Sequence, residues 1–295
     1  MVLKLGMIGC GTWGSKYIPS IAKDDRGVIS SCYRPSSDHI DKLFEYFPNI
    51  VVHSSFDAVV KNSDAVIIAS PPDSRKEVIE LCTYLDVPMM IEKPVTLSHK
   101  LYKDILSKSK TPFLVNHVHL FSGAYEALRD SYLANYTNQD VVITSCGGGE
   151  GPFRSYSALW DYGPHDISMG SGLGFRKPVV ESCLKLEAGL GESYSALLEY
   201  ERCSHSFSVW NSHTPKRRFF SVSYQDWSAV YDDISENKLV VCGQNINSYD
   251  TTPPLQRAIS NFIGVCLGDV QDWRWDRTIA DDVLYCLEHI ESYGG

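Results

Sequence analysis

The chain has 295 residues, 43% hydrophobic and 21% charged, the composition of an ordinary soluble globular protein of about two domains. Its formal net charge is −9, and its densest basic cluster is Lys216-Arg217-Arg218, which argues against nucleic acid and anionic membrane as partners. No apolar stretch reaches the roughly 18–20 residues that span a bilayer, and none of the nine cysteines forms a Cys-x-x-Cys pair, so neither a disulfide framework nor a zinc site is expected. A cytoplasmic protein without a bound metal is the expectation.

The first 120 residues alternate strand-like and helix-like segments. Leu3 to Ile8 is a short apolar run that reads as a first strand, not a leader. A glycine turn follows from Gly9 to Gly14, and Ser15 to Lys23 reads as a helix. Val28 to Tyr33 is the second strand, Asp38 to Tyr46 a helix, Val51-Val52 a third strand and Phe56 to Val60 a short helix. Ala65 to Ala69 is a continuous apolar run, typical of a strand buried on both faces. Glu77 to Leu85 is helical, Met89 to Ile91 a strand, Ser98 a candidate N-cap and Phe113 to His117 another strand. Such alternation predicts a parallel sheet covered on both faces.

The rhythm changes near residue 120. A helix from Ala124 to Leu133 precedes strand-like segments at 141–145, 180–186, 194–200, 206–210, 219–224, 229–231 and 239–241, rich in β-branched and aromatic residues. Two helices, 255–265 and 278–290, close the chain. The expected fold class is α/β: a Rossmann dinucleotide-binding domain over 1–120, then an α/β domain over 121–295 built on an open, mainly antiparallel sheet.

Gly9-Cys10-Gly11-Thr12-Trp13-Gly14 fits G-x-G-x-x-G between a strand and a helix, the context that gives the pattern mechanical meaning. Gly9 permits the tight turn, Gly11 lets the backbone approach a pyrophosphate, and Gly14 lets the helix pack close to the strand. The end of the second strand reads Tyr33-Arg34-Pro35-Ser36-Ser37, with no carboxylate for a ribose 2′-hydroxyl. A guanidinium and two hydroxyls suit a 2′-phosphate, so NADP(H) is favoured over NAD(H); alternatively Arg34 stacks on the adenine and either cofactor is accepted.

Further motifs carry a resemblance. Ala69-Ser70-Pro71-Pro72 follows the fourth strand, Glu92-Lys93-Pro94 follows the fifth, and Asp161-Tyr162-Gly163-Pro164-His165-Asp166 lies in the second domain. With the glycine turn, in this order and at these separations, they resemble the glucose–fructose oxidoreductase / inositol dehydrogenase / rhizopine-catabolism family over essentially the whole chain. The resemblance implies oxidation of a sugar, nucleotide-sugar or cyclitol hydroxyl, or the reverse reduction. It implies Lys93, Asp161 and His165 as the catalytic set, with His165 the acid/base. It adds Ser70, Pro71, Pro72, Glu92 and Lys93 to a cofactor site already containing Gly9, Gly11, Thr12, Trp13, Gly14, Tyr33, Arg34, Ser36 and Ser37. A homodimer or homotetramer through the second sheet is implied as well. The chain departs from the family at His117-Val118-His119-Leu120, where many members have an arginine, and at Arg75, where many have a histidine.

The chemistry agrees with those roles. Histidine, with an unperturbed pKa near 6.5, suits proton transfer in both directions. A helical turn over 161–166 would put Asp161 and His165 on one face, where the carboxylate orients the imidazole. Lys93 is expected as a cation that stabilises developing alkoxide charge, because as a base it would need a lowered pKa. Asn116, His117 and His119 alternate along a strand end: either two of them face the cofactor or substrate, or the strand is packed with one polar face. Arg154 and Tyr156 belong to a glycine-rich stretch expected to wall the substrate, and Trp160 is either a sugar-facing aromatic or core. Two other readings stay open: a non-catalytic dinucleotide-binding sensor of the same fold, and a reductase of a non-sugar carbonyl or imine.

Overall fold

The computed structural model describes residues 2–33, 40–269 and 272–293. It divides into two compact units, Met1–Asn116 with Pro253–Arg277, and His117–Thr252 with Thr278–Gly295.

In the first unit, β1 (Leu3–Ile8), α1 (Tyr17–Ile21), β2 (Gly27–Tyr33), α2 (Ile40–Tyr46), β3 (Val51–His53), α3 (Phe56–Lys61), β4 (Ala65–Ile68), α4 (Lys76–Tyr84), β5 (Met89–Glu92), α5 (His99–Lys108) and β6 (Phe113–Asn116) follow one another. The six strands form one parallel sheet in the order β3-β2-β1-β4-β5-β6, that of a doubly wound dinucleotide-binding fold. Strands β4, β5 and β6 are buried at every residue, which is why they read as apolar runs up to Glu92 and Asn116 at the tips of β5 and β6. Ser55 and Ser98 start α3 and α5 by accepting from the Ala58 and Leu101 N–H groups. The helix expected over Ser15 to Lys23 is shorter: a 3-10 turn over Gly14–Lys16 leads into α1. Pro19 cannot donate to the Ser15 carbonyl, which removes one bond from the longer helix.

The second unit contains α6 (Gly123–Asn135), β7 (Val141–Glu150), α7 (Ala158–Gly172), β8 (Val179–Ala188), β9 (Gly191–Tyr200), β10 (Cys203–Trp210), β11 (Ser212–Tyr224), β12 (Trp227–Asp232), β13 (Leu239–Val241) and β14 (Gln244–Asn245). Its sheet runs β14-β13-β12-β11-β7-β10-β9-β8. All neighbours pair antiparallel except β7 and β10, which run parallel, so the sheet is mainly antiparallel. Alternation sets the inner face: Cys203, His205, Phe207 and Val209 on β10, and Trp227, Ala229 and Tyr231 on β12, are buried. Helix α7 packs against β7, β9 and β10.

Two helices end the chain, α8 (Pro254–Leu267) and α9 (Arg277–Tyr293). The sequence reading assigned residues 253–277 to the second domain, but α8 belongs to the first unit and packs on α1 and β1. A side chain at Gly27 would overlap Ile263, and Arg26 donates to the Ser260 carbonyl at 2.9 Å. Periodicity revealed that α8 has an apolar face, but carries no information about which sheet that face covers.

Candidate functional site

The glycine turn at the end of β1 separates two kinds of glycine. Gly9 has φ +93°, and a Cβ there would overlap the Ser70 backbone. A Cβ on Gly14 would overlap the Gly9 carbonyl oxygen. Packing therefore demands both. A Cβ on Gly11 would meet nothing within 4 Å, so this glycine faces open space, where a phosphate can approach the backbone. The turn is held by Ser15 N–H donating to the Gly11 carbonyl (2.8 Å) and Lys16 N–H to that of Trp13 (3.0 Å). The Ser15 hydroxyl bonds the Thr12 carbonyl at 3.1 Å. Lys16 lays its ammonium over the Trp13 ring at 4.1 Å, placing a cation beside the turn. At the tip of β4 the buried Ser70 hydroxyl has no hydrogen-bond partner among the described residues. A glycine facing open space and an orphaned hydroxyl across the turn fit a pyrophosphate-bearing dinucleotide.

Pro72 is buried and starts a 3-10 turn after Pro71. Tyr33 sits edge-on to Phe56 with centroids 6.1 Å apart. Arg34, Ser36 and Ser37, on which the cofactor choice rests, lie outside the described residues.

The tip of β5 is fixed from two sides. The Tyr17 hydroxyl donates to Glu92 Oε1, and Asn116 Nδ2 donates to the Tyr17 hydroxyl (2.6 Å) and to Glu92 Oε1 (2.9 Å). All three side chains are buried. Burial and the Glu92 charge push the Tyr17 hydroxyl well above the ordinary tyrosine range, so it stays a donor. From the other side the buried Arg75 donates through Nε to the Ser70 carbonyl (2.6 Å) and through Nη1 to the carbonyls of Glu92 and Pro94. It thus ties the loop after β4 to the loop after β5. Between these anchors stands the half-buried Lys93, whose N–H bonds Glu92 Oε2 at 3.2 Å and whose peptide to Pro94 is cis. Asn116, a candidate substrate contact or packed strand residue in the sequence, belongs to the buried Glu92 network.

In the second unit α7 carries Trp160, Asp161, His165 and Asp166. Asp161 and His165 are four residues apart on this helix and share a face. Asp161 Oδ2 accepts from Arg154 Nε at 2.9 Å. Asp166 is fully buried, and that burial pushes its carboxyl up to about 6 although Arg218, at 3.4 Å, pulls the other way. The ring of His165 meets that of His119, with centroids 4.7 Å apart and planes at 87°. His119 lies on a 3-10 turn over Val118–Phe121, and its Nδ1 is 3.0 Å from the Tyr231 hydroxyl. Strand β6 ends at Asn116, so His117 and His119 do not continue its alternation; His117 is buried. Trp160 is core, with its indole N–H on Glu291 at 3.0 Å. Tyr156 is half-buried. Among the described residues no group of three His, Cys, Asp or Glu is placed to hold a metal ion.

Tyr17, Tyr231, Asp166 and Arg218 were not singled out as site residues from the sequence. None lies in a local pattern with its partner: Tyr17 is 75 residues from Glu92, and Tyr231 is 112 from His119.

The fold and this glycine cradle define a dinucleotide-binding protein of the Rossmann type. Residues 3–112 match the Gfo/Idh/MocA model, described as an oxidoreductase family with an NAD-binding Rossmann fold. An uncharacterized oxidoreductase of Streptococcus pneumoniae serotype 4 is 26% identical over 132 residues, 43% of this chain. The match spans only about a third of that relative's length, 35%. Among solved structures, UDP-N-acetylglucosamine 3-dehydrogenase from Acidithiobacillus ferrooxidans superposes with TM-score 0.85 at 16% identity, covering 100% of this chain and 98% of that one. Scyllo-inositol dehydrogenase from Lactobacillus casei, with bound NAD(H) and scyllo-inositol, gives 0.83 at 15% identity, covering 100% and 97%. At these identities the likeness carries the fold. No helix of the described residues is long and apolar enough to cross a membrane.

Proposed function

We propose that this protein is a nicotinamide-dependent dehydrogenase or reductase that acts on a hydroxyl or carbonyl of a sugar, nucleotide-sugar or cyclitol. The observation that carries the reading is the glycine turn: packing dictates Gly9 and Gly14, whereas Gly11 alone is open to a ligand. The substrate class is supported by the two solved structures of the same fold, one acting on a UDP-sugar and one holding a cyclitol.

A bound nicotinamide supplies hydride acceptance and donation at the reacting carbon. The chain's own residues supply the rest. Thr12, Trp13 and Gly11 offer backbone to the pyrophosphate, and Ser70 offers its hydroxyl. Lys93 holds the substrate oxygen as a cation and lowers the energy of its alkoxide character. His165 takes the hydroxyl proton during oxidation and returns it during reduction, and Asp161 orients the imidazole and stabilises its charged form. Arg34, Ser36 and Ser37 favour NADP(H) by pairing with a 2′-phosphate. Nine scattered cysteines with no Cys-x-x-Cys pair suit a reducing compartment, the cytoplasm. Exposed Val142, Val179, Leu184 and Leu186 on β7 and β8 support pairing of two copies through the second sheet.

Fluorescence titration with NADPH and NADH tests the reading. NADPH should bind more tightly, and Arg34→Ala should weaken it by about tenfold, the loss of one charge-assisted hydrogen bond. Binding of neither dinucleotide would refute the assignment. A screen of sugars, nucleotide-sugars and cyclitols with NADP⁺ then finds the substrate. His165→Asn should abolish turnover and leave dinucleotide affinity unchanged; turnover at the native rate would remove His165 from the chemistry.

A further inference from the structure

His119 was a candidate for touching the substrate, yet its Nδ1 is directed at a protein group. That nitrogen lies 3.0 Å from the buried Tyr231 hydroxyl. The Tyr231 hydroxyl also interacts with Asp233, on which Lys238 closes at 2.9 Å, and with Ser122. The polarity of this chain follows from counting protons. An ionised carboxylate only accepts, and a phenol has a single proton to give. With the Asp233 carboxylate as the acceptor of its single proton, Tyr231 accepts at the 3.0 Å contact with His119, and Nδ1 of His119 then carries a hydrogen. The electrostatics agree. Burial and the Asp233 charge keep the Tyr231 hydroxyl protonated. The attraction of His119, with Lys238 and the Tyr231 hydroxyl, holds the Asp233 carboxyl below the ordinary range against the effect of burial.

From this we infer that His119 is a positioning residue for His165: the Asp233–Tyr231 pair fixes His119 as its Nδ1–H form, and the His119 ring, edge to face with His165, sets the orientation and proton affinity of that imidazole. The inference rests on the reading of His165 as the acid/base only for its catalytic meaning; the coupling itself is independent of turnover. Because Asp233 favours the His119 imidazolium, a positive charge gained by His119 lies beside His165 and opposes a second one. Titratable or charged groups on the elements packed around α7 and the His119 turn are Asp161 with Arg154, Asp166 with Arg218, Tyr125 on α6, Cys146 on β7 and His205 on β10. None of these is altered by the test below.

The test is a pH titration of the full chain, labelled with ¹³C and ¹⁵N in its histidine rings and followed by NMR, with the proton as the only probe. Resonances are assigned from single His→Asn variants. Neutral His119 should show the Nδ1–H tautomer, and Tyr231→Phe should turn it to the commoner Nε2–H form. Asp233→Asn should lower the His119 midpoint. His119→Asn should raise the His165 midpoint by about one pH unit, the size expected for like charges about 5 Å apart in a partly solvated site. An Nε2–H tautomer in the native chain would overturn the inference. So would a His165 midpoint that moves less than about 0.2 unit in both His119→Asn and Tyr231→Phe. Should Tyr231→Phe not fold, Asp233→Asn and His119→Gln read the same coupling. Failure of the catalytic reading would show separately, as native turnover in His165→Asn with this coupling intact.

Discussion

Arg154 Nε donates a 2.9 Å hydrogen bond to Asp161 Oδ2, so the carboxylate that shares a helix face with His165 is itself held by an arginine from the loop before α7. The Arg154 side chain is 41% exposed and that of Asp161 only 9%. The pair thus lies at the edge of the cluster, with the charge of Asp161 inside it. Arg154→Ala should lower turnover about tenfold through a misoriented Asp161, with dinucleotide affinity unchanged. Stability should change by less than about 1 kcal/mol, because so exposed a partner is screened by solvent. Steady-state kinetics and thermal unfolding check this. A raised KM with kcat unchanged would instead make Arg154 a substrate ligand, the role its sequence position first suggested.

The three glycines of the turn should separate experimentally. Gly11→Ala adds a methyl to open space, so its melting temperature should match that of the native chain while NADPH affinity falls by at least about tenfold. Gly14→Ala forces a methyl onto the Gly9 carbonyl, so it should lose stability by roughly 1–3 kcal/mol as well as binding. Unimpaired NADPH binding in Gly11→Ala would remove the turn from the cofactor site.

Arg75 ends its guanidinium on three carbonyl oxygens, those of Ser70, Glu92 and Pro94. Methionine fills the same length but leaves those acceptors unmatched in a buried site. Arg75→Met should destabilise by about 2–4 kcal/mol in urea unfolding and weaken NADPH binding by displacing the Ser70 and Lys93 loops. Arg75→Lys should recover only part of both losses, since a lysine cannot span three acceptors in the guanidinium's fixed fork. Equal stability of the methionine variant would make this tie dispensable.

What was legible in the sequence shares one property: it is written in neighbours. The runs at β1 and β4, the glycine turn, and the Asp161–His165 spacing all sit within a few residues, and each has a period or a motif to betray it. The Tyr17–Glu92–Asn116 network is assembled from β5, β6 and α1, and no spacing rule links them. The parallel pairing of β7 with β10 escaped for the same reason: alternation reports which face is buried, not which strand lies alongside. His119 shows a subtler limit. As a histidine following a strand end it looked like a ligand; its partner Tyr231 sits on β12 as one more alternating aromatic, and only the fold brings the two rings together.

His205 is fully buried on β10, its Nε2 2.9 Å from the Ser145 hydroxyl, and burial lowers its pKa from 6.5 to about 3. In the unfolded chain this imidazole takes a proton as the pH falls below 6.5, whereas the folded one stays neutral down to about 3. Its contribution to stability is therefore full above 6.5 and is lost as the pH falls toward 3, at up to about 1.4 kcal/mol per pH unit. Asp166 acts with the opposite sign. Its folded carboxyl is raised from 3.8 to about 6, so its contribution is full below 3.8 and is lost as the pH rises through 6. Urea unfolding between about pH 4.5 and 7 should show a flatter acid limb in His205→Gln than in the native chain, by about 2 kcal/mol across that interval. Asp166→Asn should steepen the same limb, because it removes the group that gains on acidification. Parallel limbs in the native chain and both variants would mean that burial opposes the ionisation of neither side chain.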